Sequence, residues 1–126
     1  MYGFKIPNTN ICVDYWDDEE EPQVRFLTHV HDNRLQNISN VKDTIYMTAF
    51  SLWFLKYIRK EDLEGEVVCL SLNKNHRLEG ACNGDITPFY VTLIDSNHCP
   101  GSVMYLFEGK LIQCSIINLL SIIPKI

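Results

Sequence analysis

The chain has 126 residues, 46% of them hydrophobic and 21% charged, which suits one core burying roughly two thirds of the unfolded surface and excludes disordered or fibrous classes. A net charge of −5 offers phosphates no whole-chain attraction, since that normally rests on clustered Lys and Arg. Five cysteines without a C-x-x-C pair predict reduced thiols in a cytosolic or nuclear setting, while Met1–Pro7 lacks the start of a signal peptide and no run reaches the roughly 18–20 apolar residues that cross a bilayer, so a soluble chain with no membrane partner is expected.

Tyr2–Ile6, Cys12–Trp16 and Val24–Thr28 are short runs of aromatic and β-branched residues, separated by Pro7-Asn8-Thr9-Asn10 and by the acidic stretch Asp17–Pro22. They predict a meander of neighbouring strands, with Asp17–Glu21 as a solvated hairpin loop. Thr48 stands at an N-cap position before residues 49–60, whose apolar side chains recur at helical spacing and whose last turn carries cations. Strands resume at Val67–Leu72, Phe89–Ile94 and Val103–Phe107, the last ending in the turn Glu108-Gly109-Lys110. Strands at both ends around one helix predict an α+β class, a layered αβ sandwich rather than a doubly wound parallel sheet. Trp16 and Trp53 have apolar neighbours and are expected in the core rather than stacked on bases.

The chemistry sits at two strand ends. His29 and His31 are two apart after an extended run, so both imidazoles leave one face and can converge on an ion. His98 follows the run ending at Ile94 and is held in a turn tightened by Pro100 and Gly101, where a rigid scaffold presents a ligand from a loop. Neutral imidazoles are zinc donors, and these histidines from two strand ends would make a single zinc site with an open fourth position. An H-x-H pair alone equally describes polar residues each held by one hydrogen bond. His76, in the polar stretch Asn73–Arg77, has no companion and is expected to be an exposed loop residue.

Several blocks sharpen this reading: Ile6-Pro7-Asn8-Thr9, Val13-Asp14-Tyr15-Trp16, Phe26-Leu27-Thr28-His29-Val30-His31, and the long Val91–Gly109 block containing Asp95-Ser96-Asn97-His98-Cys99-Pro100-Gly101-Ser102. In order and spacing, over about residues 2–110, they resemble the opening of the metallo-β-lactamase/β-CASP DNA repair nuclease family. The resemblance implies the N-terminal part of a metallo-β-lactamase αβ/βα sandwich, incomplete, with the metal site at strand ends on one edge. Residues 1–110 would be a partial metallo-β-lactamase domain and residues 111–126 a non-matching apolar tail, with the DNA-closing β-CASP insert absent. A chain that stops after the first sheet is expected to expose apolar surface and open strand edges.

The resemblance also assigns residues. His29, His31 and His98 would be metal ligands, with Asp14 supporting the site from behind and Cys99 a small buried neighbour. Aligned without a gap, the family's H-x-H-x-D-H motif puts Asn33 on its aspartate and Arg34 on its histidine, so these are degenerate second-metal positions. Asp32 lies one residue early, with its side chain turned by a large angle. Residues 110–126 contain no Asp or Glu, so the family's bridging T-G-D carboxylate has no counterpart, and the ending is expected to come from a truncated or misspliced message.

One zinc ion at most is therefore expected, where the intact family holds two. The implied activity is 5′-to-3′ exodeoxyribonuclease action by metal-dependent phosphodiester hydrolysis, weak or absent in this chain and with no catalytic residue assigned. The implied setting is nuclear, in repair of interstrand cross-links and double-strand breaks and in telomere protection. DNA and telomere or repair proteins would be partners, and a small-molecule substrate is not expected. Two other readings stand beside it: a catalytically dead zinc- or partner-binding relic, and a metallo-β-lactamase-fold hydrolase of a substrate other than nucleic acid.

Overall fold

The structure is a computed structural model that describes residues 3–30, 35, 37–96 and 101–109. Among them, strands β1 (Phe4–Lys5), β2 (Ile11–Val13), β3 (Val24–Phe26), β4 (Ile45–Met47) and β5 (Val67–Cys69) form one sheet in that order. Strands β6 (Asn75–Cys82), β7 (Asp85–Asp95) and β8 (Val103–Glu108) form a second. Helix α1 (Ala49–Trp53) links β4 to β5 and runs into a π-helical turn, Phe54–Ile58. The class is α+β, with two sheets and little helix, consistent with the partial domain that the resemblance implies.

The expected meander is corrected. Only β1 and β2 are antiparallel in the first sheet, whereas β2, β3, β4 and β5 all pair parallel, with Ile11 opposite Val24 and Ile45 opposite Val67. Asp17–Glu21 is exposed as expected, but it belongs to a crossover that returns the chain to the starting edge, because parallel strands cannot be joined by a tight hairpin. Buried Arg25 fixes that crossover. Its guanidinium donates to Tyr15 O at 2.7 Å, to Asp17 O at 2.9 Å and to the Asp43 carboxylate at 2.9 Å.

Thr48 caps α1 as its position predicts, accepting from Ser51 N–H at 3.2 Å. The helix then ends earlier than residue 60, and Lys60 takes a left-handed conformation at φ 56°. Trp53 is a correction too: it is 48% exposed, because the stripe that α1 and its continuation bury runs through Ser51 and Leu55, on the other side of the helix. Trp16 is buried, as expected. His76 is no loop residue; it lies on β6 opposite Val91, and its Nε2–H donates to Ser71 O at 3.0 Å.

The second sheet corrects the expectation of a chain that stops after the first. Phe89, Val91 and Leu93 alternate inward on β7, as do Val103, Tyr105 and Phe107 on β8, and they meet Ile11, Val13 and Phe26 in one cluster. A second cluster holds Leu27, just past β3, and Ile45 and Met47 of β4 with Trp16, Ile38 and Leu55. The first sheet is thus buried on both faces, the usual condition of parallel strands. Exposed apolar surface does remain, on the outer face of the second sheet, through Tyr90, Ile94 and Leu106.

Cys12, at the centre of β2, is fully buried, and burial pushes its thiol from the ordinary 9.0 up to about 12, although Arg25 and Lys5 pull it down. The folded chain therefore keeps a proton that the unfolded chain sheds above pH 9, so the thiol's contribution to stability is complete below that pH and fades as pH rises towards 12. The cost of Cys12→Ala is accordingly expected to be about 2 kcal/mol smaller at pH 10.5 than at pH 7. Urea unfolding of both chains at the two pH values checks this; an unchanged gap would mean that the thiol does not titrate in this way.

Candidate metal centre

Three parallel strands deliver their C-terminal ends to one edge of the first sheet: β2 leads into Asp14, β3 into Thr28 and β4 into Thr48. Ligands of open parallel sheets bind outside such ends. Asp14 takes a left-handed conformation at φ 54°, which short polar side chains tolerate, and its N–H donates to Phe26 O at 2.8 Å. This turns its carboxylate across to the neighbouring strand. Thr28 N–H donates to Asp14 Oδ1 at 2.8 Å, and the Thr28 hydroxyl donates to Oδ2 in a short hydrogen bond.

That second bond decides the tautomer of His29. With the only hydroxyl proton of Thr28 committed to Asp14, Thr28 Oγ1 accepts from His29 Nδ1–H across 2.8 Å. The imidazole then carries its unprotonated nitrogen at Nε2, an atom through which histidine can bind a metal. Carboxylate, hydroxyl and imidazole form a relay that holds the ring from behind.

The second motif arrives at the same place. Val103 N–H donates to Thr28 O at 2.9 Å, so β8 begins directly beside the end of β3, and Ser96 N–H donates to Ser102 O at 3.1 Å. At Gly101, φ is +80° and a Cβ would stand 2.1 Å from Phe50 Cδ2, so only glycine lets the chain lie against α1 here. Tyr105, fully buried on β8, donates its hydroxyl to Leu27 O at 2.5 Å and so fixes the backbone immediately before Thr28. Burial, reinforced by the Asp14 carboxylate, pushes that phenol well above its ordinary range.

Of the residues singled out from sequence, Asp14 and His29 are brought together through Thr28. His31, Asp32, Asn33, Arg34, His98 and Cys99 lie outside the described residues. Among the described residues no group of three His, Cys, Asp or Glu is placed to hold a metal. Thr28 and Tyr105, which hold this strand end, receive no role from the sequence. Thr28 had one signal, its place directly before the H-x-H pair; Tyr105 had none beyond an inward-facing strand position.

No family model matches the chain. Known proteins do. Over 112 residues it is 37% identical to a protein of Mus musculus, a match spanning 86% of this chain and 20% of the relative. A Gallus gallus relative is 34% identical over 112 residues, again 86% of this chain and 23% of the relative. A Danio rerio relative is 29% identical over 114 residues, 79% of this chain and 18% of the relative. Over this segment the chain is similar to members of the metallo-β-lactamase/β-CASP nuclease family. The mouse and chicken relatives are both named 5′ exonuclease Apollo, and the zebrafish one Protein artemis. The chain spans about a fifth of the length of the curated relatives it matches.

Proposed function

We propose that the chain carries the first half of a DNA repair nuclease's metal centre, with one zinc ion held by His29, His31 and His98 on the rim of a metallo-β-lactamase sandwich. The observation that carries this reading is the relay Asp14–Thr28–His29, which leaves His29 Nε2 as the lone-pair atom. The Val103 N–H to Thr28 O bond supports it by bringing the start of β8 to the same strand end. A zinc ion bound there supplies Lewis acidity to a phosphodiester oxygen and a lowered pKa to a coordinated water. The protein's part is orientation: Asp14 and Thr28 fix one tautomer and one ring plane, and Tyr105 holds the strand end steady.

Asn33 and Arg34, where the family has an aspartate and a histidine, argue against a second metal at this motif. The proposed activity is accordingly weak 5′-to-3′ exodeoxyribonuclease action, in a nuclear setting of cross-link and break repair and telomere protection. A zinc-binding relic without cleavage is the second reading, and the same two positions favour it.

Zinc content by mass spectrometry of the metal is expected to approach one ion per chain. His29→Ala and His98→Ala should each lower it to background while the far-ultraviolet circular dichroism stays unchanged. Zinc retained in both variants would falsify the site. Faint trimming of a 5′-phosphorylated oligonucleotide supports the nuclease; zinc without any trimming supports the relic.

A further inference from the structure

The outer side of α1 and of the π-helical turn that continues it differs from the side that packs. Ser51 and Leu55 are buried, whereas Trp53, Lys56, Tyr57, Ile58 and Lys60 are exposed, Tyr57 to 65% and Ile58 to 53%. Trp53 and Tyr57 stand four residues apart, as do Lys56 and Lys60, so two aromatic rings and two ammonium groups alternate along one surface. Neither lysine has a carboxylate partner among the described residues. Glu61, the next residue after Lys60, accepts from the Ser39 hydroxyl at 2.5 Å and stands 3.7 Å from the Arg59 guanidinium, so its charge is engaged elsewhere.

The Trp53 ring is exposed but held in place. Its centroid lies 5.7 Å from that of Phe50 and 6.4 Å from that of Phe54, the second contact edge-on. Phe50 in turn lies against Gly101, two residues before Val103, whose N–H reaches Thr28 O. Thr48, the cap of the same helix, stands among the strand ends that carry the candidate metal centre. The exposed rings therefore flank that centre.

We infer that this surface is a ledge on which a single DNA strand stacks its bases while Lys56 and Lys60 meet its phosphates, next to the metal centre; the inference rests on the nuclease reading above. Aromatic faces stack on any base, so the contact is blind to sequence. The two lysines supply a local attraction for phosphate that a net charge of −5 denies the chain as a whole. A duplex keeps its base faces inside its own stack and offers the rings nothing, and an apolar protein partner would leave both lysines unmatched.

Excess chelator throughout keeps the test independent of zinc. A fluorescein-labelled oligothymidylate of about twelve nucleotides, titrated with the full chain and followed by anisotropy, is expected to bind about tenfold more weakly to Trp53→Ala and to Tyr57→Ala. The unlabelled strand should quench tryptophan emission in the parent chain but not in Trp53→Phe, which keeps only buried Trp16. The double variant Lys56→Gln, Lys60→Gln should reduce the slope of log affinity against log salt by about 1.4, two single-strand contacts at about 0.7 each. All four side chains are exposed, so unfolding midpoints are expected to move little. Affinity untouched by Trp53→Ala and by the lysine pair, or equal binding of a blunt duplex of the same length, would overturn the inference. So would self-association of the chain that Trp53→Ala abolishes and the oligonucleotide does not compete with, because a second copy would then cover the ledge. A failed ledge with zinc still bound in metal-replete protein leaves the metal site standing, and strand binding without any zinc site sinks the metal site alone.

Discussion

Asp14→Ala is expected to lower the chain's affinity for zinc by about ten- to a hundredfold, the usual cost of removing a group that orients a ligand from behind. It should also cost about 2–3 kcal/mol of stability, because the buried Thr28 N–H and hydroxyl would both lose a charged acceptor. The two effects are separable. Thr28→Val keeps the side-chain volume and the Thr28 N–H bond to Asp14 but removes the hydroxyl from the relay, so zinc affinity should fall while stability falls less. Competition against a chromophoric chelator gives the affinities, and urea unfolding without metal gives the stabilities. If Thr28→Val binds zinc as the parent does, His29 is oriented by something other than the relay.

That relay shows where a sequence stops being legible. The H-x-H pair and the Asp95–Ser102 block stand out as strings, and so does Asp14 once the family resemblance is noticed. What joins them does not: Thr28 reaches Asp14 across 14 positions and Tyr105 reaches Leu27 across 78, and neither contact leaves a periodicity to read. The strands divide in the same way. Runs rich in Val, Ile and aromatic residues, such as Val24–Phe26 and Val103–Phe107, announce themselves. By contrast β6, Asn75–Cys82, is polar at Asn75, His76, Arg77 and Glu79, with burial alternating weakly along it, and becomes a strand because β7 pairs with it residue for residue.

The end of β6 does carry one local signal. Asn83-Gly84 at the hairpin tip has φ of 52° and 88°, and Asn-Gly is the sequence that favours such tight turns. Strand direction was beyond reach for a different reason. Residues 14–23 are long enough either to wander between antiparallel neighbours or to cross over between parallel ones, and the choice falls to buried Arg25, whose guanidinium ties Tyr15 and Asp17 back over the sheet. A lone arginine amid apolar residues reads as an exposed edge until its acceptors are seen.

Phe26→Ala is expected to be the most destabilising single change, costing about 3–5 kcal/mol. The ring of Phe26 is fully buried at the seam between the sheets, stacked on Tyr46 at 5.2 Å and meeting Tyr105, Phe107 and Phe89 edge-on at 5.0, 5.1 and 6.3 Å. Tyr46 belongs to the first sheet and the other three to the second, so the ring couples the two, and edge-to-face pairs add to the cost of the cavity left behind. Phe26→Leu, which refills most of that volume, should recover the greater part. Denaturant unfolding followed both by tyrosine fluorescence and by far-ultraviolet circular dichroism tests the coupling. If the sheets depend on one another through this ring, both signals move to the same lower midpoint in Phe26→Ala; a loss confined to one signal would mean that each sheet holds its own core. The consequence reaches the candidate centre, because Phe26 is the last residue of β3 and Tyr105 touches both the ring and the strand end that carries Thr28 and His29. Weakened packing at the seam should therefore reduce zinc affinity in Phe26→Ala even though the substituted side chain lies three residues from the imidazole.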